Sequence, residues 1–455
     1  MSIRDLAVTR SARRAAFVLA LAWAATFGSS AYAQIVDTGN DVGGVFIGAD
    51  NILRNSEFDN QGRLRAIRDL ALDPVPGDLT EKSDLRKVSL RLLEEAIQTR
   101  VQGKEELPES ILFLAGLQQV RYVLVYPEQN DIVLVGPAEG WKLNPRGAVV
   151  GKTTGRPVLM LDDLLVALRT AAGSTRSAIS CSIDPTEEGL QRVSAHARKL
   201  RTIGNPQATA MGIEEQLGPQ RISVNGVPET SHFARVMVAA DYRMKRVSMG
   251  LEPAPVQGLP SFLEMMKAGG QGMSNMLPRW WLAPDYQPLL RDADGLAWEL
   301  RGASVKAMAE SDFLAADGTR QQGGKADPVS QRWADLLTQR YSDLSMADPV
   351  FGQLRNCMDL AVVAALVAKE SLTQKVNCEL PMLAGSSGVP TVELNAPKQV
   401  DSKASLVNKG RKWMIAAGGV SINPWAIIEN VEQTDQLADV RAKAGTSASK
   451  NWWWD

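Results

Sequence analysis

The chain has 455 residues, with 50 lysines and arginines against 51 aspartates and glutamates, 45% hydrophobic residues, three cysteines and two histidines. Such a charge balance leaves no basic footprint for nucleic acid. Three cysteines cannot build a disulfide scaffold, and two histidines cannot supply a multi-histidine metal site.

At the start of the chain Arg4, Arg10, Arg13 and Arg14 precede an apolar run over residues 15–27 and then Ala31-Tyr32-Ala33. That order of basic, apolar and small residues predicts a signal peptide over residues 1–33, cleaved before Gln34. The apolar run is shorter than the roughly 20 residues a membrane span needs. Arg13-Arg14 leaves twin-arginine export open beside the general route. Residues 1–33 carry four arginines and one aspartate, so 46 basic and 50 acidic residues remain over the other 422. The expectation is a periplasmic or extracellular protein with no membrane span in its mature chain, large enough for two or three domains.

Residues 34–172 read as a first α+β region. Its helices are expected over residues 64–72 and 84–101, the second through Leu85, Val88, Leu92, Leu93, Ala96 and Ile97 with Ser83 or Asp84 as cap. Its centre is residues 116–141, where Val120–Tyr126 and Ile132–Val135 are apolar on both faces and flank Pro127-Glu128-Gln129-Asn130-Asp131. This predicts an antiparallel hairpin over 117–136 whose strands are covered on both sides. Around Lys152–Arg156 a second strand pair is expected, and Asp162 is a candidate cap for the next helix.

Residues 173–314 continue as α+β. A strand is expected over 178–183, a helix over 185–203, and a strand over 221–224. A helix follows from Thr230 or Ser231, with Phe233, Val236, Met237, Ala240 and Met244 in one stripe. Val247, Met249 and Leu251 alternate as a strand, and 260–266 reads as a helix. Residues 280–282, 297–300 and 304–309 read as an antiparallel meander with a turn at Asp294-Gly295. Residues 315–327 are polar and glycine-rich, the composition of a linker. Two helices start at Pro328 and Pro349, where proline's missing donor costs nothing. With candidate strands over 391–394 and 413–422 they complete a region over 328–428. Residues 429–455 form a polar tail whose three adjacent indoles, Trp452 to Trp454, call for a docking surface. Helices and strands mix without a regular βαβ rhythm, so the predicted class is α+β: mixed, largely antiparallel sheets with packed helices, followed by a helical hairpin and a small β part.

The hairpin segment GLQQVRYVLVYPEQNDIVLVGPAEGW, the run PVFGQLRNCMDLAVVAALV at 349–367, and the GGVxI pattern at 43–47 and 418–422 resemble a family of secreted planctomycete proteins known only as a domain of unknown function. The resemblance implies export and one long architecture over most of the mature chain. It implies no activity, cofactor or catalytic residue.

Few residues offer chemistry. Gly151-Lys152-Thr153 looks like the end of a phosphate loop, but Arg146 stands where that motif needs a glycine and β-branched Val149 and Val150 stiffen the cradle, so it reads as a turn. His196, on a basic helix, reads as solvated, and His232 as a half-buried residue bonded to Glu229. Asp241 and Lys245 have the spacing of a surface ion pair. Asp292-Ala293-Asp294-Gly295 lacks the alternating ligands of a calcium loop and reads as a hairpin turn. Glu139 and Trp141 leave the central hairpin on a loop braced by glycine and proline. They are candidate ligand-binding residues, weighed against a packed Trp141 beside an exposed Glu139. Trp280, Trp281 and Tyr286 could line a sugar-binding face or fill a core. A Cys357–Cys378 disulfide is within reach if the chain doubles straight back after its helix, and Cys181 reads as a small buried hydrophobe.

No nucleophile, base and metal converge in this pattern, and neither cofactor nor catalytic residue is assigned. The leading expectation is a non-catalytic envelope protein that binds a partner protein or associates with itself. A polysaccharide-binding module and a carboxylate-based hydrolase are the alternatives.

Overall fold

The computed structural model describes residues 45–455 apart from 49, 56–71, 174–175, 200–204, 270–275, 315–319, 324–326, 386–387, 408–411 and 446–452. The expected signal segment, the helix expected from Leu64 and Trp452 lie outside the described residues.

In chain order the first strands are β1 (Val45–Ile47), β2 (Ile52–Asn55), β3 (Ser83–Ser89), β4 (Tyr122–Tyr126), β5 (Asp131–Ala138), β6 (Trp141–Leu143) and β7 (Val149–Gly151). Then come β8 (Ile179–Asp184), β9 (Gln220–Asn225), β10 (Met276–Tyr286), β11 (Leu289–Arg291), β12 (Ala297–Glu299), β13 (Gly302–Leu314) and β14 (Arg320–Gly323). The last are β15 (Gln399–Val400), β16 (Ser405–Val407), β17 (Lys412–Met414), β18 (Ala417–Ile422) and β19 (Val431–Gln433). The helices are α1 (Leu90–Gln102), α2 (Glu109–Leu112), α3 (Leu161–Ala172), α4 (Glu187–Lys199), α5 (Pro206–Leu217), α6 (His232–Ser248) and α7 (Phe262–Gly269). They continue as α8 (Pro328–Gln339), α9 (Tyr341–Ala347), α10 (Pro349–Lys369), α11 (Leu372–Lys375), α12 (Pro424–Ile427) and α13 (Gln436–Gly445).

The class is α+β, as its sequence predicts. A large sheet runs β1-β2-β15-β9-β8-β18-β10-β13-β14, with β17 beside β10 and β16 beside β17. A second sheet runs β19-β11-β12-β4-β5-β3, and β6 pairs with β7. The predicted hairpin is its centre: β4 and β5 pair antiparallel, Tyr122 opposite Val135 and Tyr126 opposite Asp131, across a turn at Pro127–Gln129. All five residues of β4 are buried, which is why both of its faces are apolar.

Between β8 and β10 runs β18, antiparallel to the first and parallel to the second. A Cβ on Gly418 would stand 1.9 Å from the Trp280 carbonyl oxygen, so this approach of strands requires glycine, which also suits its φ of 116°. Helices α3, α6, α9 and α10 pack together, with α6 also resting on β8 and β18. Helix α10 is long and apolar enough to cross a membrane by length and composition, but its apolar stretch is wholly buried inside the fold, which makes it a core helix. The cap expected at Ser231 is present, its hydroxyl accepting from the Ala234 amide.

Several expectations change. Residues 84–89 are strand, not helix: Leu85 is 47% exposed, while Arg86 and Val88 are buried on the face opposite it, and α1 starts only at Leu90 under a Ser89 cap. Residues 247–251 continue the end of α6 instead of forming a strand. The expected meander is divided, β10 and β13 pairing in the large sheet while β11 and β12 form a hairpin of the second. The expected linker contains β14, which pairs with β13. Residues 391–394 form no strand. The large sheet interleaves β1 and β2, β8 to β10 and β15 to β18, and Val42–Asp455 form one compact unit.

The disulfide is absent as well. Cys181, Cys357 and Cys378 are buried thiols. Cys357 faces Asp163 of α3, whereas Cys378 lies near Arg91 and Asp131.

Candidate functional site

The Glu139–Trp141 loop is a closed structural joint. Trp141 is 2% exposed, its Nε1 donates to Glu109 Oε2 at 3.3 Å, and Phe113 meets it edge-on at 5.7 Å. Glu139 is 1% exposed, where a solvent-facing side chain was expected. Its carboxylate accepts from the Thr153 amide at 3.1 Å, the Thr154 amide at 2.8 Å, the Thr154 hydroxyl at 2.5 Å and Gln118 Nε2 at 2.9 Å. Burial alone would raise this carboxyl, but the bonds from Thr154, Gln118 and Thr153 hold it below its ordinary value. The phosphate-loop look-alike at 151–153 thus cradles an anion that belongs to the chain itself. A Cβ on Gly151 would lie 2.0 Å from Glu139 Oε1, which explains the glycine there.

The Trp280 and Trp281 pair does not make a platform, because neighbours on a strand face opposite ways. Trp280 is fully buried between Phe262 and Trp333, its Nε1 donating to the Ser330 carbonyl at 3.3 Å. Trp281 is half-buried on the other face under the Arg279 guanidinium, 5.2 Å from the ring centre. Tyr286 turns inward and donates to Asp359 at 2.5 Å.

Three clusters of buried polar groups are likewise spent on structure. The Asp241–Lys245 pair lies in the core, not at the surface: Lys245 Nζ donates to Asp241 at 2.7 Å and to the Ile183 and Gly418 carbonyls at 2.8 and 3.1 Å, tying α6 to β8 and β18. Burial pushes the Asp241 carboxyl up to about 6 against the pull of Lys245. His232 bonds not Glu229 but Asp163, with Nδ1 at 2.9 and 3.0 Å from its two oxygens. Glu229 instead pairs with Lys398. Burial would lower the His232 imidazole, but the charge of Asp163 raises it overall. The Cys357 thiol bonds the same carboxylate, and burial with that charge drives it far from thiolate formation. Cysteine, aspartate and histidine are therefore joined in an order that opposes nucleophilic chemistry. The third cluster is Tyr286 with Asp359, whose carboxyl burial raises to about 6.

Open space lies elsewhere. A groove of about 380 Å³ opens where the C-terminal ends of α3 and α10 meet α11, residues 380–384 and α12. Small side chains leave the space: Ala171, Ala172 and Gly173 on one side, Ala364 and Ala368 on the other, and Ala384 from the facing segment. Polar groups come from Ser371, Thr373 and Gln374. Half-buried Trp425 supplies an aromatic wall, and the Arg176 guanidinium lies 5.0 Å from its ring centre.

The walls are held from behind. Asn423 accepts from the Ala426 amide at 3.2 Å and Pro424 occupies the first turn of α12, which fixes the backbone carrying Trp425. Lys369 Nζ donates to the Ile428 carbonyl at 2.9 Å, joining the end of α10 to that turn. Arg169 Nη2 donates to the Met382 and Val389 carbonyls at 3.0 and 2.7 Å, while Glu94 accepts from the Met382 and Leu383 amides at 2.5 and 2.9 Å. Arg176 makes no ion pair among the described residues, and its guanidinium stands against the Trp425 ring. The described lining contains no carboxylate, imidazole or thiol. It offers an aromatic face, hydroxyls, an amide and a cation, which is equipment for holding a ligand.

None of the candidate site residues named from the sequence lines this groove. Trp425 was missed because a lone tryptophan after Asn-Pro carries no motif, and the alanines because small residues in helices read as ordinary helix formers. A family described as "Protein of unknown function (DUF1598)" matches residues 181–262, which span β8 to the start of α7. That span holds the Asp241–Lys245 pair and His232 but no described wall of the groove. No curated protein and no solved structure matches the chain.

Proposed function

We propose that this chain is a non-catalytic binding protein of the cell envelope, and that a saccharide segment held against Trp425 is its ligand. The observation that supports the reading is the groove's equipment: one indole face, neutral donors and acceptors from Ser371, Thr373 and Gln374, and the Arg176 guanidinium beside the indole, in a volume suited to a small ligand. A sugar ring presents an apolar face and a rim of hydroxyls, which matches an indole flanked by polar side chains. The basic, apolar and small-residue pattern of residues 1–33 supports export, with a mature N-terminus at Gln34.

Retention on isolated envelope polysaccharide tests the ligand. Wild type is expected to be retained, Trp425→Ala to lose about tenfold or more in affinity, as aromatic anchors do, and Arg176→Ala to lose less. Equal retention of all three proteins would remove the groove from consideration. N-terminal sequencing of the chain recovered from its native host tests export, and a retained Met1 on cytoplasmic protein would sink it.

A further inference from the structure

The outer edge of the second sheet is β3, and half of that edge is occupied by the chain's own residues 453–455. The Lys87 amide donates to the Asp455 carbonyl at 2.9 Å, the Asp455 amide to the Lys87 carbonyl at 3.0 Å, and the Ser89 amide to the Trp453 carbonyl at 2.8 Å. Lys87 and Asp455 thus form a hydrogen-bonded antiparallel pair, with Val88 opposite Trp454. Side chains add selectivity to this backbone pairing. Trp453 is 6% exposed and meets Trp454 edge-on at 4.5 Å, and the Lys87 ammonium pairs with the Asp455 carboxylate at 2.5 Å. The remainder of the β3 edge is unpaired by this segment, and there Leu85 is 47% exposed, a large apolar side chain with no account in the single chain.

We propose that the β3 edge is a strand-accepting slot that a second copy of this chain fills with its own residues 453–455, giving a reciprocally exchanged dimer. The slot recognises three features: an extended backbone, a bulky aromatic in the Trp453 position, and a carboxylate opposite Lys87. An edge strand pairs with any extended segment that meets those requirements, whichever chain supplies it. Reciprocal exchange restores the Lys87–Asp455, Val88–Trp454 and Ser89–Trp453 pairings in both slots. Two chains brought together at β3 also gain cover for Leu85. The inference is independent of the groove, whose described walls include no residue of β3 or of 453–455.

Because Lys87 and Asp455 are a directly paired antiparallel couple, cysteines in their places would stand at disulfide-forming separation. The test mixes two full-length single variants, Lys87→Cys and Asp455→Cys, neither of which can close this bond within one chain, and oxidises the mixture. The native cysteines are buried and do not compete. A control mixture replaces Asp455→Cys by Glu432→Cys, a position on the opposite edge strand of the sheet. The expected result is a covalent heterodimer about tenfold or more above the control, the bond trapping an exchange that tethering within one chain otherwise outcompetes. The double variant Lys87→Cys/Asp455→Cys reports the alternative. If it closes within one chain while the mixed singles give no heterodimer above the control, residues 453–455 dock only on their own chain and the proposal is overturned. If neither preparation crosslinks, the slot itself is overturned.

Discussion

The Glu139 turn and the Trp425 groove are built from similar parts and end in opposite states. Each has an acid or a base beside an indole, a helix end and a few hydroxyls. At Glu139 every oxygen is used by a donor of the neighbouring turn, and Trp141 is sealed against Phe113. At the groove the side chains beside Trp425 are small, the space stays open, and Arg176 has no anionic partner among the described residues. Residue type is thus a poor guide to binding. What separates the two regions is whether polar capacity has already been consumed inside the fold.

The contrast breaks first at Trp141. Trp141→Ala is expected to cost about 3–5 kcal/mol, because a buried indole leaves a cavity that its neighbours refill only in part. A thermal or urea melt within about 1 kcal/mol of wild type would mean that the joint is looser than its burial indicates.

Glu139→Gln comes next, with about 1–3 kcal/mol lost at neutral pH, since the amide turns donors towards Thr153 and Thr154. The folded carboxyl lies below its ordinary value of 4.5, so its contribution is present above that pH and is lost as pH falls through the lower folded value. The gap between mutant and wild type should therefore narrow in acid. A gap independent of pH would show that charge is not what the turn requires.

Asp359 sharpens the comparison from the other side, being a buried carboxyl raised to about 6 instead of lowered. Between 3.8 and about 6 the folded state binds more protons than the unfolded, so stability rises as pH falls through that window. Asp241 acts in the same direction. Asp359→Asn should remove part of that rise, on the order of 1 kcal/mol between pH 7 and 5. Melts of both proteins across that range decide it, and parallel pH profiles would contradict the assignment.

The smallest expected effect on stability is at the groove. Trp425→Ala should change the melting free energy by less than about 1 kcal/mol, since the indole is only half-buried beside open space. A loss as large as that at Trp141 would make Trp425 a structural residue and erase the distinction between the two regions.

Short-range pattern was enough for the elements whose information is local. The β4–β5 hairpin follows from apolar residues on both faces around a turn, α6 from its stripe and Ser231 cap, and α10 from a long apolar run opened by proline. It failed at Leu85, where a strand's alternation coincides with a helix's spacing over a few residues, and at residues 315–327, where polar composition concealed β14. Tertiary structure alone decided which strands share a sheet, as in the union of β2 with β15, and that His232 meets Asp163, 69 residues away, instead of nearby Glu229. It also decided that Trp280 would be sealed while Trp425 stayed at an opening. Periodicity records which face of an element is apolar, but not what packs on that face. A groove is space left by small residues brought together from distant parts of the chain, and such space has no local signature.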